Sequence, residues 1–258
     1  MTVVDIAAET LARAFAEGQQ IAPFSQGDAG FDLAAGYAVQ SALTARRVAD
    51  GARVIGVKVG FTNTQIWAQF GIDAPIHGPV FDTTLAAETV DIGAFMEPLI
   101  EPEIVLKLRA TPSAEMDDAA LLGCVEAIAP GFEIVHSAYP GWRFAAPDSV
   151  AAGAMHGALV LGQWVPVDAG WQDALTRFTV TLSCDGAVQD RGEAANLLGS
   201  GPVAVLRHLI GLDSCAPLPA GSLVSTGTVT RALPVQKGQT WRAAFEGLPV
   251  APVSVRLT

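Results

Sequence analysis

The side chains in this sequence that can do chemistry sit in short apolar runs. Ile100 to Leu108 reads IEPEIVLKL. In an extended strand Glu101, Glu103, Val105 and Lys107 face one way, and Pro102, Ile104, Leu106 and Leu108 the other. Two carboxylates on one face repel each other, so they suit either a solvated strand face or a cation that takes both as oxygen ligands. A third, Glu133, stands near the start of FEIVHS, and three carboxylates from two strands can converge on one hard divalent cation. Oxygen ligands favour Mg2+ or Mn2+ over zinc and leave positions for substrate and water. Lys58 lies in RVIGVKVG, where it either snorkels from an edge strand or presents an ammonium to an anionic substrate or acts as an acid/base. In the acid/base case partial burial would lower its pKa toward the working range. His156, in the small-residue turn of GAMHGALVLG, either lines a site or bonds a loop carbonyl. His136, at odd offset from Glu133, points to the opposite face and reads as a structural histidine.

These groups need strands to hold them. The first 50 residues instead read as helical, with one helix over Asp5 to Glu17 stopped by Gly18 and a second capped by Asp32 and running to about Asp50. Residues 1–52 are expected to form a small N-terminal helical subdomain, packed on a body of residues 53–258. Phe61 to Leu85, with Asp73, His77, Gly78 and Asp82, reads as a long loop with a short helix around Thr64 to Phe70, suited to walling a site. Met116 to Ala129 is expected as a helix ending at Pro130-Gly131. Short strands follow at Phe132 to Ser137, up to Leu161, at Phe178 to Cys184 with an Asp185-Gly186 hairpin, at Gly221 to Val235 and at Arg242 to Leu257, with a helix at Val203 to Ile210. Regular strand-helix alternation is missing, so the fold class is α+β, a roll or sandwich with attached helices.

Composition narrows the function. The chain has 258 residues, half of them hydrophobic, and a net charge of −11. No basic cluster is present, which argues against a nucleic-acid partner. No apolar run approaches a membrane span and the N-terminus lacks a secretory pattern. Cys124, Cys184 and Cys215 lie far apart without CxxC spacing, so neither zinc nor a disulfide framework is indicated and a reducing cytoplasm is expected.

GVKVGFTN, FGIDAPIHGPVFD, EPEIVLKL, GFEIVHS, PDSVAAGAMHGALVLG and PAGSLVSTGTVTRALPVQKGQTWRAAFEGL occur in this order, preceded by GYAVQ at Gly36 to Gln40. Together they resemble the 2-oxopent-4-enoate hydratase and 4-oxalocrotonate decarboxylase group of the fumarylacetoacetate hydrolase superfamily. The resemblance covers nearly the whole chain. It implies a mixed β-roll like that superfamily's C-terminal domain, with Mg2+ or Mn2+ held by Glu101, Glu103 and Glu133. The implied substrate is a 2-oxo or 2-hydroxydienoic acid that chelates through its carboxylate and C2 oxygen. Lys58 would hold the carboxylate or move protons, Asp73 would act as acid/base or position water, and Thr62 and Thr228 would contact substrate. A homo-oligomer is implied, as is association with a related decarboxylase or hydratase.

The chain also departs from the group. Glu133 to Ala138 replaces an EIVDSR-like run, His156 stands where a small hydroxyl residue is common, and Thr226 to Arg231 replaces TGSFTG. The expected activity is hydration of a 2-hydroxy-2,4-dienoate in aromatic-compound degradation. Decarboxylation of a 2-oxo acid is one alternative. Another is C–C hydrolysis of an acylpyruvate such as fumarylpyruvate or maleylpyruvate, with His156 as the base, and a third is a catalytically silent partner subunit.

Overall fold

The computed structural model describes residues 2–63, 67, 72 and 74–258. Three helices come first, α1 (Val3–Glu17), α2 (Phe24–Gly27) and α3 (Leu33–Ala49). Thr2 and Asp5 form a reciprocal capping box at the start of α1, and Gly18, at φ 63°, closes it in the left-handed conformation that glycine adopts without strain. The Asp32 carboxylate accepts from the Ala35 N–H and caps α3. Leu11 of α1 and Val39 and Leu43 of α3 share a core with Val135, Tyr139, Ala151 and Met155, so these helices pack directly on the body.

The strands are β1 (Val54–Gly60), β2 (Ile76–Phe81), β3 (Leu85–Ala86), β4 (Thr89–Val90), β5 (Leu99–Leu108), β6 (Val125–Val135), β7 (His156–Leu161), β8 (Val165–Pro166), β9 (Thr179–Cys184), β10 (Ala187–Glu193), β11 (Leu223–Thr228), β12 (Leu233–Pro234), β13 (Thr240–Glu246) and β14 (Val253–Leu257). Among the described residues they form two sheets. One runs β2-β1-β11-β5-β6-β7-β3, with β12 beside β5 and β8 beside β6, and the other runs β10-β9-β13-β14-β4. Most neighbours are antiparallel, but β1/β11, β3/β7 and β4/β14 are parallel.

Side-chain alternation decides which face does what. Ile100, Ile104 and Leu106 of β5 join Ile128, Phe132 and Ile134 of β6 and the inner face of the second sheet in the main core. Glu101 and Glu103 face the other way, as the period of two requires.

Several expectations fail here, among them the long loop read over Phe61 to Leu85, which contains the strand Ile76–Phe81 paired with β1. The helix expected over Met116 to Ala129 is confined to Asp118–Gly123, and Val125–Val135 is one strand. That strand pairs with β5 along its whole length, so ladder bonds and the burial of Ile128 outweigh local helix propensity. Pro130 and Gly131, read as a stop, lie inside it. A Cβ on Gly131 would meet the Val160 carbonyl oxygen at 2.8 Å, so glycine is what lets β7 lie alongside. Nor is Lys58 on an edge, since β1 lies between β2 and β11. The short helix expected around 64–70 falls, apart from Trp67, outside the described residues, and Asp73 falls outside them too.

Candidate active site

A row of polar side chains crosses the larger sheet, one strand after another. Lys58 comes from β1, Ser225 and Thr228 from β11, Glu101 and Glu103 from β5, Glu133 from β6 and His156 from the first position of β7. Register sets the neighbours: Lys58 pairs with Ser225, Thr228 with Glu103, and Glu101 with Glu133. In a flat sheet β1 and β6 would stand about 14 Å apart, three strand spacings. Lys58 Nζ nevertheless lies 3.2 Å from Glu133 Oε2. The sheet therefore curls, and the curl gathers the row into a site.

Glu101, Glu103 and Glu133 each offer a carboxylate oxygen within 4.8 Å of the others. Glu103 and Glu133 are fully buried, while Glu101 is partly buried with its edge on a cavity of about 250 Å3. Their partners leave a gap on one side. Ser225 Oγ (2.5 Å) and the Gly227 N–H (3.0 Å) both donate to Glu103 Oε2, leaving Oε1 without a partner among the described residues. His156 Nδ1–H donates to Glu133 Oε1 at 2.7 Å. Glu133 Oε2, though close to Lys58, makes no aligned hydrogen bond. Buried carboxylate oxygens without donors are costly, and here they belong to Glu103 and Glu133, two of three carboxylates drawn together. The donor set fits a hard divalent cation, with Glu101, Glu103 and Glu133 as its holders.

Without a cation the charges compete. Burial, then the Glu133 charge working against the attraction of Lys58, pushes the Glu101 carboxyl up to about 7. Burial, with the charges of Glu133 and Glu101, holds Glu103 well above the carboxylate range. Burial opposes ionisation of Glu133 as well, but the Lys58 charge and the His156 bond outweigh it and pull this carboxyl down. Lys58 corrects a sequence expectation. Burial does work to lower its pKa, but Glu133, Glu101 and Glu103 raise it further, so the ammonium is held charged. It donates to the Ala154 carbonyl at 2.9 Å. That carbonyl belongs to a tight turn in which Ala154 and Met155 adopt φ of 54° and 64°, left-handed values that non-glycine residues avoid unless the surroundings enforce them.

Lys58, Thr62, Glu101 and Thr228 line the cavity. Gly227, at φ 89°, lies so close to Thr62 that a Cβ there would come within 2.0 Å of the threonine Oγ1. His156 is placed differently from the expectation that it could activate water. It stands behind Glu133, away from the cavity, with Nδ1 on Glu133 and Nε2 on Thr84 Oγ1 at 2.8 Å. Both ring nitrogens are engaged, so it positions Glu133 and has no free nitrogen to act as a base. His136 packs at a tilt against the rings of Phe15 and Phe95, and burial lowers its pKa to about 4. His77 pairs with Ser214, and Asp82 with Arg53, both away from the carboxylates.

Sequence reasoning missed Ser225, the Ala154 carbonyl and the apolar cavity wall that includes Leu99, Val135, Trp142 and Phe144. Ser225 was within reach, since it lies in the same STGT run as Thr228. The wall combines the ends of β5 and β6 with the segment carrying Trp142 and Phe144, and carries no local signal.

Residues 82–256 match the family described as fumarylacetoacetate (FAA) hydrolase C-terminal. The chain is 30% identical over 214 residues to a 4-oxalocrotonate decarboxylase of Pseudomonas sp., covering 81% of this chain and 82% of that one. It is 31% identical over 252 residues to 2-keto-4-pentenoate hydratase 2 of Dechloromonas aromatica (strain RCB), covering 95% and 94%. Its fold is similar to that of 4-oxalocrotonate decarboxylase from Pseudomonas putida G7, solved in complex with magnesium and adipate. The TM-score is 0.92 over 99% of this chain and 97% of that one, at 24% identity. With its family match spanning most of the sequence and its relatives nearly full length, this chain belongs to the fumarylacetoacetate hydrolase family.

Proposed function

We propose that the chain is a divalent-metal-dependent hydratase that converts a 2-hydroxy-2,4-dienoate, through its 2-oxo tautomer, into a 4-hydroxy-2-oxo acid. The observation that carries the reading is the trio Glu101, Glu103 and Glu133, with unpartnered oxygens, at a cavity that Lys58 also lines. In the reaction a proton reaches C5 as the dienol ketonises, then water adds at C4 and a proton at C3. When bound, Mg2+ or Mn2+ supplies a Lewis acid that polarises the 2-oxo group.

The chain's own residues do the rest. Lys58, held charged, meets the substrate carboxylate, and with one proton on the Ala154 carbonyl it keeps others to donate. Glu133 is locked by His156, so the carboxylate cluster stays oriented while the substrate changes charge. Thr62 and Thr228 offer hydroxyls to the substrate oxygens. Asp73 is proposed to move a proton or position the attacking water.

Decarboxylation of a 2-oxo acid is the second reading, since it needs the same enolate stabilisation and a decarboxylase is among the relatives. Acylpyruvate hydrolysis through His156 is disfavoured, because both of its nitrogens are engaged. No helix among the described residues is long and apolar enough to cross a membrane. A homo-oligomer in the cytoplasm, able to associate with a related enzyme, completes the reading.

The test is turnover of chelator-stripped protein on 2-hydroxypenta-2,4-dienoate, followed by loss of the dienol absorbance. Loss that requires Mg2+ or Mn2+, yields the 4-hydroxy-2-oxo acid and vanishes in Glu103→Gln supports hydration. Release of CO2 from 4-oxalocrotonate without any hydration would move the assignment to the second reading.

A further inference from the structure

The site face of β5 and β6 is built in facing pairs. Glu103 lies opposite Gly131, Glu101 opposite Glu133 and, one pleat further along, Leu99 opposite Val135. Two residues of strand advance about 6.6–6.8 Å, comparable to the span from the chelating oxygens of a 2-oxo acid to the carbons beyond C4. A substrate held at the carboxylate cluster by its carboxylate and C2 oxygen can therefore lay its far end over Leu99 and Val135.

The surroundings of that far end are apolar. Trp142, Phe144, Met155 and Ile76 line the same cavity. The Trp142 indole N–H is already committed to the Glu97 carbonyl at 3.0 Å. Among the described residues the lining includes a single lysine or arginine, Lys58, and that ammonium stands beside Glu133 at the cluster end, where the proposed reading already assigns it to the substrate's own carboxylate. The stretch outside the described residues brings no second cation, because the sequence has no Lys or Arg between Lys58 and Lys107. The other polar groups in the lining include the neutral Thr62, Asn63, Ser149 and Thr228, and Glu101, whose carboxyl offers a second anion no counter-charge.

We infer that the part of the site beyond C4 is an apolar specificity subsite, built on Leu99 and Val135, that takes 2-oxo acids with an uncharged alkyl or aryl end and discriminates against dicarboxylates. The inference rests on the chelation reading above and deepens it by naming the substrate class. A second carboxylate placed there would lose its water without gaining a cation, whereas an alkyl chain would lose only unfavourable hydration.

The test compares non-turnover acids by calorimetric titration of Mn2+-loaded protein. Pyruvate has no far end, while 2-oxohexanoate and 2-oxoadipate have the same chain length and differ at C6 by a methyl against a carboxylate. The expected result is Mn2+-dependent binding of pyruvate, and 2-oxohexanoate bound roughly 10- to 100-fold more tightly than 2-oxoadipate, the scale set by burying a polar group without a partner. Leu99→Arg should narrow that ratio at least tenfold while leaving pyruvate within a few-fold. Ala232→Arg, at a partly exposed cavity position, is a second variant in case the first fails to fold.

Wild-type protein that binds 2-oxoadipate as tightly as 2-oxohexanoate overturns the inference while leaving chelation intact. A wild-type preference that neither folded variant alters overturns the assignment to this wall. Failure of all three acids to bind in a Mn2+-dependent way overturns the chelation reading, and the inference with it.

Discussion

Replacing Glu101 by Gln should make the metal-free protein more stable, although it removes a residue of the active site. Burial and the neighbouring Glu133 charge hold the Glu101 carboxyl at about 7 rather than 4.5. At 1.36 kcal/mol per pH unit, ionising it inside the fold costs about 3 kcal/mol. Water entering the cavity beside Glu101 screens part of this, so the figure is a ceiling. Because the folded form binds this proton more tightly than the unfolded chain, the wild-type advantage is complete below pH 4.5. It is lost as pH rises from 4.5 through 7. Glutamine has no such loss. In a chain of this size about 1 kcal/mol moves Tm by roughly 2–4 °C. Glu101→Gln should therefore raise the metal-free Tm by up to about 5–10 °C at pH 8 and by no more than about 3 °C at pH 5. Scanning calorimetry in chelator and then in Mn2+ reads both halves of the argument. Mn2+ should stabilise the wild type at pH 8 and leave the variant nearly unmoved. A variant less stable than wild type at pH 8 in chelator, or one that keeps the full Mn2+ gain, would refute the reasoning.

Three other perturbations follow from the same geometry. His156→Phe leaves Glu133 Oε1 without its donor, so the Mn2+ dissociation constant should rise about 10- to 100-fold with the circular dichroism spectrum unchanged; an unchanged constant would show that His156 positions nothing. Lys58→Met removes the cation that meets the substrate carboxylate, and kcat/KM of Mn2+-loaded protein should fall by about 10²- to 10⁴-fold, whereas a fall of less than tenfold would take Lys58 out of the chemistry. His136, neutral between two phenyl rings with a pKa of about 4, must be discharged to fold, so urea titrations should show stability falling by on the order of 3 kcal/mol as pH drops from 6.5 to 4. His136→Phe should flatten that part of the curve, and parallel curves would count against the assignment.

What the sequence made legible was local. Glu101 and Glu103 at i and i+2 in IEPEIVLKL share a face because strands alternate, and Glu133 joined them because a second short strand carried it. The caps at Gly18 and Asp32 are local too, and α1 ends and α3 begins where they stand. The misreadings are all tertiary. Met116 to Ala129 has helix-forming residues, yet the helix stops at Gly123 and pairing with β5 makes Val125 to Ala129 strand. The isolated pKa of a buried lysine goes down, and only three carboxylates arriving from two other strands raise it. His156 lies 23 residues from Glu133 in sequence but 2.7 Å away in space, a contact made by β6–β7 register. The apolar wall has no sequence signature, since Leu99, Val135 and Trp142 meet only after the sheet curls.

The most direct test of the central claim is a Mn2+ titration of metal-free protein followed by electron paramagnetic resonance, repeated with pyruvate present. The account predicts one tightly held ion per chain, a spectrum that changes when the 2-oxo acid is added, and loss of tight binding in Glu103→Gln. Tight binding that survives in Glu103→Gln, or a bound ion whose spectrum ignores the 2-oxo acid, would contradict it.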